Sequence, residues 1–262
     1  MTDRTVGEFY DEPGMEWSLR SVGPHLHPGS EEATVKLAAR AAAAGLAPGG
    51  VIVDIASALG SPARFIARRF GCSVVCIDMD LRMHTAAMTA NRRQGLNRIV
   101  QPVLARTEHL PLANSSCDGA WSQDALCHME KAAVLREVAR VLKPGAILAF
   151  TDFIARPSIR SLDLAELRRT WAFPSLFTIP KYVSELDANG FEVLLAEDRT
   201  FDLATQGRSG LPDEEFWWRQ FVEDWGQQEA DARLEAGRIW QSLLQTGRAG
   251  YAMFIARRIG DQ

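Results

Sequence analysis

The stretch Val51-Ile-Val-Asp-Ile-Ala-Ser-Ala-Leu-Gly60-Ser-Pro-Ala-Arg-Phe-Ile-Ala67 decides the fold. An apolar run carries Asp54, small residues turn the chain, and a helical pattern opens at Pro62. Strand, small-residue turn and helix in that order put a ligand-binding turn at the carboxyl end of a parallel strand. Small side chains let the backbone approach a ligand, and the free N–H groups of the first helical turn face it. This turn reads Ala-Ser-Ala-Leu-Gly and keeps one glycine, Gly60, so alone it names no ligand.

Working outward, elements alternate. An Ala-rich helix from about Glu31 is stopped by Gly45 and Pro48-Gly49-Gly50. Strand one covers Val51 to Ile55, and a helix runs from Pro62 to Arg69. Ser73 to Asp78 reads as strand two, Leu81 to Arg93 as a helix, Ile99 to Leu104 as strand three and Asp118 to Ser122 as strand four. Lys131 to Leu142 is helical and ends at Pro144-Gly145, before strand five at Ala146 to Thr151. This alternation predicts a parallel sheet with helices on both faces. Beyond Asp152 the pattern loosens: helices at Arg160–Trp171 and Pro180–Asn189, a strand at Phe191–Glu197, helical stretches near Asp213–Trp225 and Ala230–Leu244, and a late strand at Tyr251–Arg257. Such a long connection before the last strand reads as a cap. Trp217, Trp218, Phe221 and Trp225 fall at helical spacing, which favours packing over ligand contact.

With 262 residues the chain can bury a sizeable core, and a net charge of −4 argues against a generic polyanion binder. No stretch is long and apolar enough for a membrane span, and the start lacks a signal-peptide core, so a cytoplasmic protein is expected. Cys72, Cys76, Cys117 and Cys127 form no CxxC pair, and structural packing outweighs metal or redox chemistry for each. No metal is expected.

Asp78 ends strand two, where a carboxylate can accept both ribose hydroxyls of a nucleoside. Its plain alternative is a turn aspartate in Asp78-Met-Asp80. Asp54 is placed to orient the turn and a ligand's ammonium end.

These segments, with Glu108-His-Leu-Pro111, the block Asp118-Gly-Ala-Trp-Ser-Gln-Asp-Ala-Leu-Cys-His128 and Leu135-Arg-Glu-Val-Ala-Arg-Val-Leu-Lys-Pro-Gly145, carry a resemblance. The chain resembles class I S-adenosylmethionine-dependent methyltransferases of the small-molecule type. Glycine/sarcosine/dimethylglycine and phosphoethanolamine N-methyltransferases share its Ser-Gln-Asp-Ala-x-x-His phrase. The upstream His27-Pro-Gly-Ser30, with Ala33-Thr34, is similar to the loop that leads into such enzymes, and the likeness runs from about His25 to Glu197.

The resemblance implies a Rossmann-like, doubly wound α/β fold: a seven-stranded sheet with a reversed last strand and a helical cap insertion. It divides the chain into an N-terminal lid and leading helix (1–50), a cofactor-binding core (51–198), the cap (199–249) and the last strand (250–262). It implies S-adenosylmethionine as cofactor, with Ala56, Ser57 and Gly60 at the methionine end, Asp78 and Met79 at ribose and adenine, Thr107 and Glu108 at the adenine edge, and Ser122 and Gln123 facing the sulfonium. The family's turn usually carries glycines where Ala56 and Ala58 stand, and an Asp where Arg106 stands. Arg106 cannot accept a hydrogen bond from an adenine amino group.

Methyl transfer needs an aligned, desolvated nucleophile and a place for its proton. His128, with an ordinary pKa of about 6.5, suits proton removal at neutral pH. It reads equally as a residue at a helix start packed against strand four. Asp124, four residues earlier, would share its face on a helical turn. The phosphoethanolamine relatives pair the matching His with an N-terminal tyrosine, which makes Tyr10 the candidate. Trp17, Arg20, Arg156, Trp171 and Trp217 suggest an aromatic acceptor pocket with an anion clamp. The expected partner is a small-molecule acceptor, with neither nucleic acid nor membrane, in a monomer or homodimer. Two other readings stay open: ring closure of the cofactor's aminocarboxypropyl group, and a non-catalytic binding protein on the same fold.

Overall fold

The computed structural model describes residues 5–15, 18, 26–27, 30–205 and 214–260. Parallel strands β1 (Val51–Ile55), β2 (Ser73–Asp78), β3 (Val100–Leu104), β4 (Cys117–Gln123) and β5 (Leu142–Ala155) are followed by β6 (Phe191–Asp198) and β7 (Ala249–Arg258). They form one seven-stranded sheet in the order β3-β2-β1-β4-β5-β7-β6, with β7 antiparallel to both neighbours. The order reverses between β1 and β4, and the crevice outside the carboxyl ends of those strands is where ligands bind in open α/β sheets.

Both faces are buried because strand residues alternate between two apolar layers. Ile52, Trp121 and Ile147 pack with Leu37 and Ala41 of α2 (Ser30–Ala43) and with Ile66 and Phe70 of α3 (Ser61–Phe70). Val53, Ala120 and Leu148 pack with Val134 and Val138 of α5 (Lys131–Val141) and Leu186 of α7 (Ile179–Ala188). Helix α4 (Leu81–Arg93) starts directly after β2, its first turn capped by the Asp80 carboxylate, which accepts from Arg82 N at 2.7 Å. Phe150 and Phe254 are directly opposite across β5–β7 and stack at 4.7 Å, a cross-strand pair worth about 0.5–1.5 kcal/mol beyond its buried area.

A third cluster lies at the carboxyl edge: Phe153, Leu167, Phe173 and Tyr251, with Trp171 and Trp240 against them. It joins α6 (Ser161–Trp171) to α10 (Gln227–Gln245). Phe221 is buried among Trp218, Val222, Trp225 and Ala230 where α9 (Glu214–Trp225) meets α10, so these aromatics pack the two helices together. Helices α1 (Val6–Phe9), held by a Thr5–Glu8 capping box, and α8 (Thr200–Thr205) lacked a signal in the periodicity.

Strand β5 runs from Leu142 to Ala155, past both expected ends. A register shift between Cys117 and Gly119 of β4 accommodates Pro144-Gly145, with Gly145 at φ 83°. Asp152, which looked like a strand terminus, is fully buried in the strand. It is satisfied by the Cys127 N–H at 3.0 Å and by the Tyr182 hydroxyl. All four cysteines are free and buried, and among the described residues no group of His, Cys, Asp and Glu could hold a metal.

Candidate active site

The turn after β1 takes the conformation glycines would give it, although two of its members are alanines. Ala56 (φ 53°) and Ala58 (φ 46°) are left-handed, as is Gly60 at φ 70°. The strain of about 1 kcal/mol per residue is held by backbone bonds. Ser57 N donates to Ile77 O at 2.9 Å, Gly60 N to Ser57 O at 2.8 Å, and Ala58 N to the Asp78 carboxylate at 2.8 Å. Asp78 also accepts from Asp80 N at 2.9 Å, so its carboxylate joins the two loops that flank the crevice. Burial raises the pKa of Asp78, and backbone N–H donors offset part of that.

Buried Arg64 braces the same turn, and composition gave no hint of it. Its guanidinium donates to Leu59 O at 2.7 Å, Ser61 Oγ at 2.9 Å and Asn91 Oδ1 at 3.2 Å. Its place on the buried face of α3 was the available signal, since a buried guanidinium requires such acceptors.

Asp54 is buried at the end of β1, and its Oδ2 has no protein partner. Burial, and then the Asp78 charge, push its pKa well above the ordinary value. Across the crevice, Gln123 Oε1 accepts from Thr34 Oγ1 and Trp121 Nε1, both at 3.0 Å. Indole N–H is only a donor, which fixes the amide orientation and leaves Nε2 buried without a partner. Thr34 gives its one proton to Gln123, so buried His27 donates from Nε2 to Thr34 at 3.2 Å. An acceptor and a donor, both buried and unpaired, fit the ammonium and carboxylate of an amino-acid moiety; Asp78 fits a ribose. These residues are compatible with S-adenosylmethionine.

Other expected cofactor residues are engaged locally. Ser122 is buried and donates to Ile55 O at 3.2 Å, tying β4 to β1 rather than presenting a free hydroxyl. Thr107 donates to Met129 Sδ at 3.4 Å, Glu108 pairs with Arg106 at 3.3 Å, and Met79 stands exposed after β2.

Just after β4, His128 ends a 3-10 turn, Leu126–His128. Its Nδ1 lies 3.3 Å from Ala172 O, and its Nε2 lies 3.4 Å from the Tyr10 hydroxyl. A carbonyl only accepts, so Nδ1 carries the proton and Nε2 accepts from Tyr10. Phe9 and Phe173 flank the imidazole at 5.8 and 4.9 Å, and burial lowers its pKa to about 4. Burial raises the Tyr10 pKa, as do charges at Cys127, Asp124 and Asp78.

Asp124 does not share a helical face with His128. It precedes the three-residue turn in a left-handed conformation (φ 56°), and its Oδ1 accepts from Thr151 Oγ1 at 2.7 Å. Burial pushes its pKa up to about 7, with the Thr151 and Tyr251 hydroxyls pulling it partly back. Nor is Arg156 a free anion clamp, because its guanidinium binds the Asp198 carboxylate and donates to Thr200 Oγ1 at 3.2 Å. Trp171 belongs to the aromatic wall, 5.6 Å from Phe9, with its indole N–H donating to Ala236 O at 2.9 Å. Trp17 and Arg20 lie outside the described residues, as does the Trp217 side chain on α9.

Residues 53–150 match the family described as methyltransferase domain. A glycine/sarcosine/dimethylglycine N-methyltransferase from Actinopolyspora halophila is 30% identical over 58% of this chain, which spans only 27% of that relative's length. A solved structure described as a sarcosine dimethylglycine methyltransferase from Galdieria sulphuraria superposes with a TM-score of 0.84, at 21% identity, over 97% of this chain and 100% of its own. The [4+2]-cyclase SpnF has a TM-score of 0.78 at 22% identity, over 99% and 98% of the two chains. At these identities the two structures share the fold.

Proposed function

We propose that this chain, whose residues 53–150 match a methyltransferase domain, is a class I S-adenosylmethionine-dependent enzyme that transfers a methyl group to a small-molecule metabolite. The observation that carries this reading is the Tyr10–His128 pair, set at the strand ends that also hold Asp54, Asp78 and Gln123. Bound S-adenosylmethionine supplies a methyl carbon made electrophilic by its sulfonium. In this reading Asp78 holds the ribose, while Asp54 and Gln123 hold the amino-acid end. The turn of Ala56, Ser57 and Gly60 lies along that end, and Met79, Thr107 and Glu108 flank the adenine.

Phe9, Trp171 and Phe173 keep water from the reacting centre. With the cofactor held by Asp78, Asp54 and Gln123, its methyl carbon would go to the acceptor's lone pair and the bonding pair would stay on sulfur. The acceptor's proton passes to the Tyr10 oxygen as the Tyr10 proton passes to His128 Nε2. Neutral His128, oriented by Ala172, is ready to take it. Asp124 contributes a buried carboxyl near the same centre. Among the curated relatives, the names glycine/sarcosine/dimethylglycine and sarcosine/dimethylglycine N-methyltransferase support a nitrogen acceptor, and the name 24-methylenesterol C-methyltransferase supports a carbon acceptor.

The fold shared with a cyclase favours keeping a second reading, in which the domain serves a reaction other than methyl transfer. Incubation with S-adenosylmethionine and a panel of small amines, followed by mass spectrometry, separates the two. S-adenosylhomocysteine supports methyl transfer, whereas methylthioadenosine indicates ring closure of the cofactor. Failure to bind S-adenosylmethionine in calorimetry overturns both. A cytoplasmic enzyme, monomeric or homodimeric and without a nucleic-acid partner, is the setting we assign. The net charge of −4 argues against a polyanionic partner, and among the described residues no helix is long and apolar enough to cross a membrane.

A further inference from the structure

Two arginines from opposite sides of the crevice grip consecutive carbonyls of one short segment. Arg233 on α10, 1% exposed, donates to Phe9 O and to Asp11 Oδ1, both at 3.1 Å, and lies 5.5 Å over the Phe9 ring. Its Nε donates to Glu229 at 2.6 Å, which fixes the guanidinium plane. Arg82, one residue into α4, donates to Tyr10 O at 2.5 Å. It also binds the Asp80 carboxylate at 2.6 and 3.1 Å, and Asp80 N in turn donates to Asp78. Gly14 completes the arrangement: a Cβ there would sit 1.8 Å from Phe9 O and 2.9 Å from the Arg233 guanidinium.

We propose that Arg82 and Arg233 are positioning residues that clamp the Tyr10 segment between the cofactor side and the cap, so that Tyr10 meets His128 only while both hold it. The inference rests on the reading of Tyr10 and His128 as the reacting pair. Asp78, Asp80, Arg82 and Tyr10 form a continuous hydrogen-bonded path, so order at the ribose end of the crevice is transmitted to the segment that closes the other end. Arg233 acts from the opposite side through a planar fork that no lysine can reproduce.

The test reads the imidazole itself. Tyr10 and Phe9 cover His128 from the segment, Phe173 from the loop after α6, and the Lys131 charge also lowers its pKa. Nitrogen-detected NMR titration of His128, assigned by the spectrum of His128→Ala, is compared among wild type, Arg82→Met, Arg233→Met and Gly14→Ala. Wild-type His128 stays neutral down to about pH 4. In each variant the released segment admits water, and the midpoint rises by about one unit or more toward the ordinary 6.5. Unchanged midpoints in folded variants overturn the proposal. If Arg233→Met and Gly14→Ala fail to fold, Arg82→Met, whose side chain is 48% exposed, decides. Failure of the cofactor reading shows separately, as wild-type protein that does not bind S-adenosylmethionine in calorimetry.

Discussion

The Tyr10 hydroxyl lies 3.4 Å from His128 Nε2, although 118 positions separate the two residues in the chain. Local sequence cannot enforce such a pair, and a base buried this way behaves differently from a free imidazole. His128→Ala is expected to lower turnover by about two to four orders of magnitude, with S-adenosylmethionine affinity nearly unchanged. Steady-state kinetics and calorimetry check the two halves of that statement. From sequence, His128 titrates near neutrality and the rate rises through pH 6.5. Burial places the pKa at about 4 instead. The rate should be flat across neutral pH and fall only as pH drops toward that value.

Asp124 sets the opposite trend for stability. Its folded pKa of about 7 lies above the ordinary 3.8, so the native state holds the proton more tightly. Its contribution to stability is full below pH 4 and is lost as pH rises to 7. Asp124→Asn removes that loss, keeps an acceptor for Thr151 and suits the left-handed backbone. Relative to wild type, the variant should gain stability between pH 4 and 7, by up to about 4 kcal/mol, and no more above it. Denaturant midpoints measured across that range give the answer, and a gain that is the same at every pH would contradict it.

Ala58 occupies a conformation that glycine adopts without cost, and its N–H bond to Asp78 holds it there. Ala58→Gly should relieve about 0.5–1 kcal/mol after the added freedom of the unfolded chain is counted. The melting temperature should rise by about 1–3 °C. A lower melting temperature would mean that the methyl makes a packing contact outweighing the strain.

Asp78→Asn tests the nucleoside end of the crevice. The amide still offers one acceptor to the Ala58 or Asp80 N–H, so the turn should survive. It loses the charged acceptor that a ribose diol prefers, at about 1.5–3 kcal/mol, or roughly 10- to 150-fold in affinity. Calorimetry with S-adenosylmethionine measures this directly, and equal affinity in a folded variant would place the nucleoside elsewhere.

The regular elements of the core were legible because their signals are local. β1, β2 and α4 have the expected limits, since apolar runs bounded by Gly, Pro and Asp leave few other ways to satisfy the backbone. β5 overran its expected end because a buried aspartate reads as a turn until its partners are known, and Tyr182 lies 30 positions away. A parallel sheet with helices on both faces followed from alternation and its reversed last strand from the resemblance, whereas the strand order β3-β2-β1-β4-β5-β7-β6 is a finding of the structure.

The sequence by itself determined the sheet, the turn after β1 and the residue types brought to the carboxyl edge, because hydrophobic period and turn chemistry act over a few residues. Only the tertiary structure decided which of those residues meet. It gave Arg156 to Asp198 and bound Ser122 to Ile55, and it set the Tyr10–His128 pair, which the resemblance had implied, at 3.4 Å. It also closed the Tyr10 segment with Arg233, 224 positions from Phe9. Such contacts form only when the packed core brings distant segments together, and burial there sets the protonation of His128 and Asp124, which no spacing along the chain encodes.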